Sequence, residues 1–194
     1  MGIRIATKKD LPQILSIYRP YVENTTVSFE YKAPAAEEFL ARFEAFTEQF
    51  PWLVWEEKGI IAGYAYACAP FSRAAYRWCA EPSIYIHRDF HGRGIGRKLY
   101  TALEVCLRMQ GYHVSYAIIT SENAASLAFH TAMGYTKLAE FPRCAYKHGK
   151  CLGIIWMEKR LCSAEMPSDT PVSFPIFVEN SKNFTEILDN LSLS

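Results

Sequence analysis

Residues 83–98 read SIYIHRDFHGRGIGRK, and this stretch decides how the rest of the chain is interpreted. The run from Ser83 to His87 predicts a strand, because β-favouring residues such as Ile and Tyr dominate it. Glycines follow at positions 92, 94 and 96. A helix is then expected as far as Gln110, with Gly111 as its C-terminal cap. Its apolar face would consist of Leu99, Leu103, Cys106 and Leu107.

A strand, a glycine-rich turn and a helix in this order can bind an anion. The first N–H groups of a helix have no partner inside the helix, and the helix dipole favours negative charge there. Glycines allow a ligand to approach these groups, and Arg93, Arg97 and Lys98 add positive charge. The stretch therefore predicts a phosphate-binding loop, with a plain glycine-rich turn as the alternative.

Two nucleotide-binding loops fit the sequence poorly. A Walker loop needs Gly-Lys-Ser/Thr after four intervening residues, and the chain has no such stretch. A dinucleotide fingerprint would place its third glycine at position 99, where Leu99 stands. The sequence therefore predicts neither a Walker loop nor a dinucleotide-binding loop.

The flanking sequence predicts one α/β domain over residues 1–161, with the element order β-α-α-β-β-β-α-β-α-β-β. Helices are expected to begin at Asp10, with Pro12 early in the first turn, and at Pro34. Two further helices are expected, one ending at Gln110 and one over residues 123–133. The strands are expected at residues 3–6, 52–57, 60–68, 83–87, 113–120, 135–141 and 152–158.

Residues 162–194 differ in composition and are expected to form a C-terminal extension that is partly ordered at most. Ser, Pro, Asn and Asp are frequent, and Pro167, Pro171 and Pro175 exclude a continuous helix. Phe184 to Leu193 could form one short amphipathic helix. We expect the extension to dock on the domain or on a partner subunit without contributing chemistry.

Composition narrows the function classes. The 194 residues include 21 Lys+Arg and 20 Asp+Glu, a net charge of +1 that argues against a dedicated nucleic-acid surface. The longest uncharged stretch, Gly59 to Ser72, is shorter than the roughly 20 residues of a membrane helix. Charged residues at positions 4, 8, 9 and 10 do not suit a secretory signal. We expect a cytoplasmic protein with neither a nucleic-acid nor a membrane partner.

No metal site is expected. The six cysteines contain no C-x-x-C pair and have no matching histidine set, so free thiols are the simpler interpretation. His87 and His91 have the spacing of two ligands on one helix, but they precede a glycine-rich turn.

Two motifs together resemble the GNAT-type N-acetyltransferase superfamily. Its acetyl-CoA loop, Gln/Arg-x-x-Gly-x-Gly/Ala, is matched by His91-Gly92-Arg93-Gly94-Ile95-Gly96, with histidine at the first position. Its second motif is matched by Asn123, His130, Gly134 and Tyr135. Within the superfamily the chain is most similar to the phosphinothricin N-acetyltransferase group, through residues 25–30, 64–67, 73–76, 80–86 and 147–149.

This resemblance implies an α/β (α+β) fold whose mixed central sheet is splayed at its middle, with helices on both faces. Acetyl-CoA would lie in the splay, and a homodimer is usual. The residues implied to bind acetyl-CoA are Ile84, Tyr85, Ile86, His91, Gly92, Arg93, Gly94, Ile95, Gly96, Arg97 and Asn123.

Acetyl transfer to an amine needs a base, since an α-amine is mostly protonated at pH 7. Glu81 is the candidate, and the resemblance places a catalytic glutamate at this motif; a solvated carboxylate at a strand start is the alternative. His130 could protonate the departing thiolate or share the amine proton, or it could simply be packed. A backbone N–H between Ile84 and Ile86 could stabilise the oxyanion.

The expected substrate is a small amino acid carrying a carboxylate and a phosphinate or sulfone group. Arg73 beside Tyr76 could bind the anionic groups, and Phe29 and Glu30 could close the other side. Further cations near the last hairpin are Arg143, Lys147 and His148. Two alternatives stay open: acetylation of another amine (a protein N-terminus, an aminoglycoside or a polyamine), or a non-catalytic acetyl-CoA-binding module.

Overall fold

The computed structural model describes residues 1–163 and 169–193. Within this part, no helix is both long and apolar enough to cross a membrane. The strands are β1 (Gly2–Ile5), β2 (Trp52–Glu57), β3 (Ile60–Cys68), β4 (Cys79–Ile86), β5 (Val114–Thr120), β6 (Thr136–Lys147) and β7 (Lys150–Arg160). The helices are α1 (Leu11–Asn24), α2 (Ala36–Thr47), α3 (Ile95–Gln110), α4 (Ala124–Ala132), α5 (Phe174–Asn180) and α6 (Phe184–Leu193).

The strands form a seven-stranded sheet in the order β1-β2-β3-β4-β5-β7-β6. All neighbours are antiparallel except β4 and β5, which are parallel. Successive side chains of a strand point to opposite faces, so Val54 packs with α1 and α2 while Leu53 and Trp55 pack with α3. The expected mixed sheet with helices on both faces is confirmed, as is the expected element order through β7.

Helix α1 begins after Asp10, as predicted, but the Asp10 carboxylate does not cap its N–H groups; it accepts hydrogen bonds from the backbone N–H and the hydroxyl of Thr7, in the short turn before the helix. The Arg4 guanidinium also binds the Asp10 carboxylate and holds its pKa below the ordinary value. Leu11, Ile14 and Val22 form the buried face. Helix α3 ends at Gly111, whose φ of 95° favours glycine.

Three strands are longer than predicted, and β7 is the simplest case, since it extends the predicted 152–158 by two residues at each end. Strand β4 begins at Cys79 and includes Pro82, a residue that usually ends a strand since it lacks an N–H. Strand β6 continues to Lys147 through an irregularity between Phe141 and Ala145, where Arg143 has φ of 55°. A bulge there accommodates Pro142 within the strand.

Part of the C-terminal extension packs against the domain. Phe174, Phe177, Phe184 and Leu188 are buried in the core beside α3 and β1. The Ile3 N–H of edge strand β1 donates a hydrogen bond to Ser192 Oγ at 2.8 Å. The predicted amphipathic helix is present as α6. Residues 164–168, including Pro167, and residue 194 lie outside the described residues.

Candidate active site

The sheet opens between β4 and β5. Their pairing is limited to Cys79 with Val114 and Ala80 with Ser115. On its other edge β4 pairs with β3, and the His87 N–H donates to the Ala62 carbonyl. Backbone groups alternate direction along a strand, so the Ile84 and Ile86 N–H groups face the opening. Two backbone donors are therefore aimed into the splay.

A cavity of about 460 Å³ lies at the end of this opening. We call it the loop cavity. It lies between the end of β4, the start of α3 and one side of α4. It is lined by Tyr21, Ile84, Ile86, Phe90, His91, Gly92, Arg93, Gly94, Ile95, Gly96, Arg97, Ala125, Ser126 and Phe129.

The glycines give the loop cavity its shape. Gly92 and Gly94 have φ of 74° and 75°, a region that other residues rarely adopt. Gly94 immediately precedes α3, so the unpaired N–H groups of the first helical turn begin at the cavity wall. The loop thus has the backbone geometry and the dipole that suit a phosphate group.

Only part of the predicted positive charge lines this cavity. Arg93 donates to the Asp89 carbonyl at 2.9 Å and lies 4.6 Å from the Phe90 ring centroid. Arg97 is exposed at the cavity wall. The Lys98 ammonium instead donates to the Ser192 carbonyl at the end of α6, at 2.8 Å. The C-terminal extension therefore holds one of the three cations.

His91 connects the loop to the end of β4 by hydrogen bonds. Its Nε2 lies 3.0 Å from the Ile86 carbonyl and 3.0 Å from the Tyr21 hydroxyl. Tyr21 also donates to the same carbonyl at 2.6 Å. Because a carbonyl only accepts hydrogen bonds, Nε2 of His91 carries the hydrogen. Histidine at the first motif position thus has a structural role of its own.

Glu81 lies in a second cavity of about 250 Å³, which we call the Glu81 cavity. It is half-buried, and burial raises the pKa of its carboxyl above the ordinary value. No Lys or Arg lines this cavity in the described part of the chain. Its lining consists of Val27, Ser28, Phe29, Tyr66, Glu81, Ser83, Tyr85, Ile118, Thr120 and Ile154.

Tyr85 lies on the Glu81 cavity, whereas it was predicted to bind the cofactor together with Ile84 and Ile86. Its ring stacks on Tyr64, at a centroid distance of 5.3 Å. The two-residue period of a strand explains the separation, since Glu81, Ser83 and Tyr85 share one face of β4. The same period could have identified Ser83; neither Ser83 nor Tyr66 nor Thr120 was among the predicted site residues.

His130 is buried on α4, with 5% of its surface exposed. Its Nδ1 lies 2.8 Å from the Ser126 carbonyl and therefore donates the hydrogen, which leaves Nε2 as the basic nitrogen. Burial lowers the pKa of the imidazole, so it is neutral at pH 7. The ring packs against Tyr100, Phe129 and Tyr135. His130 is not part of the lining of either cavity.

Asn123 caps helix α4. Its side-chain oxygen accepts a hydrogen bond from the Ser126 N–H at 3.1 Å, the ordinary bond of an N-cap residue. Asn123 does not line the loop cavity, although Ala125 and Ser126 on the next turn do. Its contribution to this structure is to fix the start of α4 beside the cavity.

The structure does not bring the remaining predicted substrate residues to Glu81. Arg73 and Tyr76 line a different cavity, which includes Phe50, Tyr112 and Pro171. The Glu30 carboxylate forms an ion pair with Arg42 at 2.7 Å. Phe29 alone of this predicted set lines the Glu81 cavity. Within residues 1–163 and 169–193, no cluster of three or more His, Cys, Asp or Glu side chains could hold a metal.

Comparison with known proteins identifies the family of this domain and the activities of its relatives. Residues 3–156 match the model of the acetyltransferase (GNAT) domain. The chain is 35% identical to a phosphinothricin N-acetyltransferase of Streptomyces viridochromogenes, over 76% of this chain and 80% of that protein. It is 36% identical to an L-methionine sulfoximine/L-methionine sulfone acetyltransferase of Salmonella typhimurium, over 83% and 95% of the two chains.

A solved structure of a related enzyme is similar over most of its length. A phosphinothricin acetyltransferase from Sinorhizobium meliloti, in complex with acetyl-CoA, superposes with a TM-score of 0.82 at 32% identity. The match covers 89% of this chain and 95% of the other.

Proposed function

This chain belongs to the GNAT acetyltransferase family, and we propose that it transfers the acetyl group of acetyl-CoA to the α-amine of a phosphinothricin-like amino acid. The expected acceptors are phosphinothricin, methionine sulfoximine and methionine sulfone. The observation that carries this proposal is the arrangement around β4, which has a phosphate-type loop at its end and a half-buried carboxylate on one face. The named activities of the relatives support the acceptor class.

The loop cavity suits the phosphates of acetyl-CoA. The N-terminus of α3 and Arg97 would hold the diphosphate, and the opening between β4 and β5 would receive the pantetheine arm. The Ile84 or Ile86 N–H would donate to the thioester oxygen as negative charge develops on it. These donors are already oriented, so no backbone rearrangement is needed for the reaction.

Glu81 is the proposed base. Its carboxylate would accept a proton from the ammonium group of the acceptor, directly or through a water molecule. The neutral amine then attacks the thioester carbon; the C–N bond forms, the C–S bond breaks, the second amine proton passes to the departing thiolate, and CoA leaves as the free thiol. A pKa raised by burial brings Glu81 closer to the range in which it can both accept and release this proton.

His130 is proposed as a second proton-transfer group. The hydrogen bond from Nδ1 to Ser126 leaves Nε2 free to accept a proton. A neutral imidazole in this tautomer suits a base better than an acid for the thiolate. This assignment favours the second of the two roles considered above, sharing the amine proton with Glu81, and the proton would travel through water because His130 lines neither cavity.

One observation favours a second class of acceptor. Phosphinothricin carries two anionic groups, yet no Lys or Arg lines the Glu81 cavity in the described chain. A peptide N-terminus with an apolar side chain would suit the rings of Phe29, Tyr66 and Tyr85. The two classes differ in their need for a cation near the acceptor.

We also propose that the protein forms a homodimer in the cytoplasm. The edge strand β6 exposes large apolar residues, with Leu138 at 52%, Phe141 at 48% and Tyr146 at 59% exposure. Such a surface on an unpaired edge is typical of an interface. Size-exclusion chromatography with light scattering tests this proposal, and a monomer at micromolar concentration would contradict it.

The enzyme assay is release of free CoA thiol, measured with a panel of amines. The panel contains phosphinothricin, methionine sulfoximine, methionine sulfone, spermidine, an aminoglycoside, and a peptide beginning with alanine. Saturable release with the first three alone is the expected result. Release with the peptide alone would replace the acceptor and keep the reaction. Acetyl-CoA binding without release from any amine would instead favour a non-catalytic module.

A further inference from the structure

Lys147 is a buried lysine at the last position of β6. Only 2% of its surface is exposed, and burial lowers the pKa of its ammonium. Its Nζ donates to the Val22 carbonyl at 2.6 Å and to the Ser28 carbonyl at 2.5 Å. No carboxylate forms an ion pair with it in residues 1–163 and 169–193; Glu30, whose field reaches it, is paired with Arg42.

Stability alone is a poor explanation for this residue. Burying a charge without a counter-ion costs free energy even when its hydrogen bonds are satisfied, and apolar replacements of buried charges are often neutral or stabilising. The acceptors of Lys147 are more informative. Val22 belongs to the last turn of α1, where carbonyls lack partners and a cation is favoured. Ser28 belongs to the segment that follows this helix.

That segment, residues 25–31, is tied down at several other points. The Thr120 hydroxyl donates to the Thr26 carbonyl at 2.7 Å, and the Tyr31 hydroxyl donates to the Tyr146 carbonyl. The Ser28 hydroxyl lies 2.9 Å from the Tyr18 hydroxyl. Each tie comes from a different element, so the position of the segment depends on tertiary contacts. The Tyr18 contact also joins the segment to α1, but Lys147 does so through two backbone carbonyls, one on each side.

Segment 25–31 forms one wall of the Glu81 cavity, through Val27, Ser28 and Phe29. The carbonyl that Lys147 binds belongs to the middle of these three residues. A shift of Ser28 would therefore move the side chains on both sides of it. The loop cavity includes none of the residues that Lys147 binds.

We propose that Lys147 is a positioning residue that holds segment 25–31 against α1 and thereby fixes the position of one wall of the acceptor site. This inference rests on the proposed function, which makes the Glu81 cavity the acceptor site. Its consequence is selective. Loss of the ammonium should weaken binding of the amine and leave acetyl-CoA binding unchanged.

The test compares Lys147→Met with Lys150→Met. The two lysines pair with each other across the same tight turn, but Lys150 is exposed. For Lys147→Met we expect the KM of the amine to rise about tenfold or more, with an unchanged KM for acetyl-CoA. Lys150→Met should match the wild type in both constants. A purely structural loss would lower the amount of active enzyme and leave both KM values unchanged.

Hydrogen exchange provides a readout that needs no substrate. The Val27 and Glu30 N–H groups donate to side chains within the segment, so they report its order. In Lys147→Met these two amides should exchange at least tenfold faster, while amides of α3 keep the wild-type rate. Unchanged exchange at Val27 and Glu30 together with an unchanged amine KM would overturn the proposal.

Two further results separate the possible failures. If Lys147→Met does not fold, Lys147→Gln takes its place, since it keeps a hydrogen-bond donor and removes the ammonium; it should raise the amine KM severalfold with local loss of protection. Wild-type kinetics and exchange in Lys147→Gln would then overturn the proposal. If the wild type acetylates no amine, the proposed function fails, and the exchange comparison alone decides whether Lys147 holds segment 25–31 in place.

Discussion

The loop cavity and the Glu81 cavity lie on either side of strand β4, and the chain builds them in different ways. Residues 84–97 supply most of the loop cavity, and only three residues of α4 and Tyr21 complete it. The Glu81 cavity gathers side chains from the segment after α1 and from strands β3, β4, β5 and β7. One cavity is defined by local backbone geometry and the other by tertiary packing, so different substitutions should damage each.

The largest effect is expected on the Glu81 side. Glu81→Gln keeps the shape of the side chain and removes the base, so turnover should fall by about a hundredfold or more. Acetyl-CoA binding, measured by calorimetry, should stay within twofold of wild type because the loop cavity is untouched. Glu37→Gln, on the exposed first turn of α2, is the control. Equal turnover in Glu81→Gln and wild type would exclude Glu81 as the base.

The pH dependence sharpens this test. A base must be deprotonated to act, and burial raises the pKa of Glu81. The kcat/KM of the wild type should therefore fall as the pH is lowered through that raised pKa. The acceptor amine also titrates, so the comparison with Glu81→Gln is essential: the variant should lose the limb due to the carboxyl and keep that of the amine. Identical limbs in both proteins would contradict the assignment.

The second effect is expected on the loop side, from a change of backbone. Gly94→Ala puts a side chain at φ of 75°, where no atom lies within 4 Å to clash with it, so the cost is conformational. A cost of roughly 1–2 kcal/mol corresponds to about a tenfold loss of acetyl-CoA affinity if the loop relaxes out of its binding shape. The amine KM should stay unchanged.

Gly59→Ala is the matched control for Gly94→Ala. Gly59 has φ of 81°, also with open space around it, but it lies in the turn between β2 and β3. It should lower the thermal stability by a similar amount and leave the acetyl-CoA affinity at the wild-type value. An equal loss of affinity in both variants would show that the effect is global destabilisation.

The same contrast explains what the sequence could predict. The loop was predicted because glycines, cations and the helix start are adjacent in the chain, and their geometry is set locally. Glu81 and Phe29 were both predicted, and the structure brings them together; Arg73 was also predicted, but it lines another cavity. Residue type gives the chemistry of a side chain, whereas its direction depends on packing between distant elements.

Lys98 and Lys147 show that nearness in the sequence does not predict which group a side chain binds. Lys98 is adjacent to the loop in sequence, but its ammonium binds the end of α6. Lys147 is far from the segment it holds in sequence, and only tertiary structure brings its ammonium to the Ser28 carbonyl. The pattern of apolar residues is enough to predict the fold. The hydrogen-bond partners of these two lysines follow only from the tertiary structure. The element order was therefore predictable and these partners were not.

A smaller effect should separate two neighbouring cations. Arg97 is exposed at the wall of the loop cavity, whereas Lys98 is turned towards α6. Arg97→Ala should raise the KM of acetyl-CoA severalfold, and the increase should shrink at high salt since an exposed charge is screened. Lys98→Ala should leave this KM within twofold and lower the melting temperature. The reverse result would place Lys98 at the phosphates.

The smallest kinetic effect is expected from Ser192 in the C-terminal extension. This residue lines neither the loop cavity nor the Glu81 cavity. The Ser192 hydroxyl accepts the Ile3 N–H and donates to the Leu188 carbonyl, at 2.8 Å each. Ser192→Ala leaves a buried backbone N–H of an edge strand unpaired, which costs roughly 1–3 kcal/mol. The melting temperature should fall by several degrees, while Asp189→Ala, exposed on the same helix, should change it little.

Both KM values should stay at the wild-type level in Ser192→Ala, because the hydroxyl of this α6 residue binds β1, at the edge of the sheet away from the splay. One route could change this outcome. The Ser192 carbonyl holds Lys98, one turn into α3, so a loosened α6 would release a cation beside the loop. A lower KM for acetyl-CoA in Ser192→Ala, abolished by adding Lys98→Ala, would mean that the extension restrains cofactor binding as well as stabilising the sheet edge.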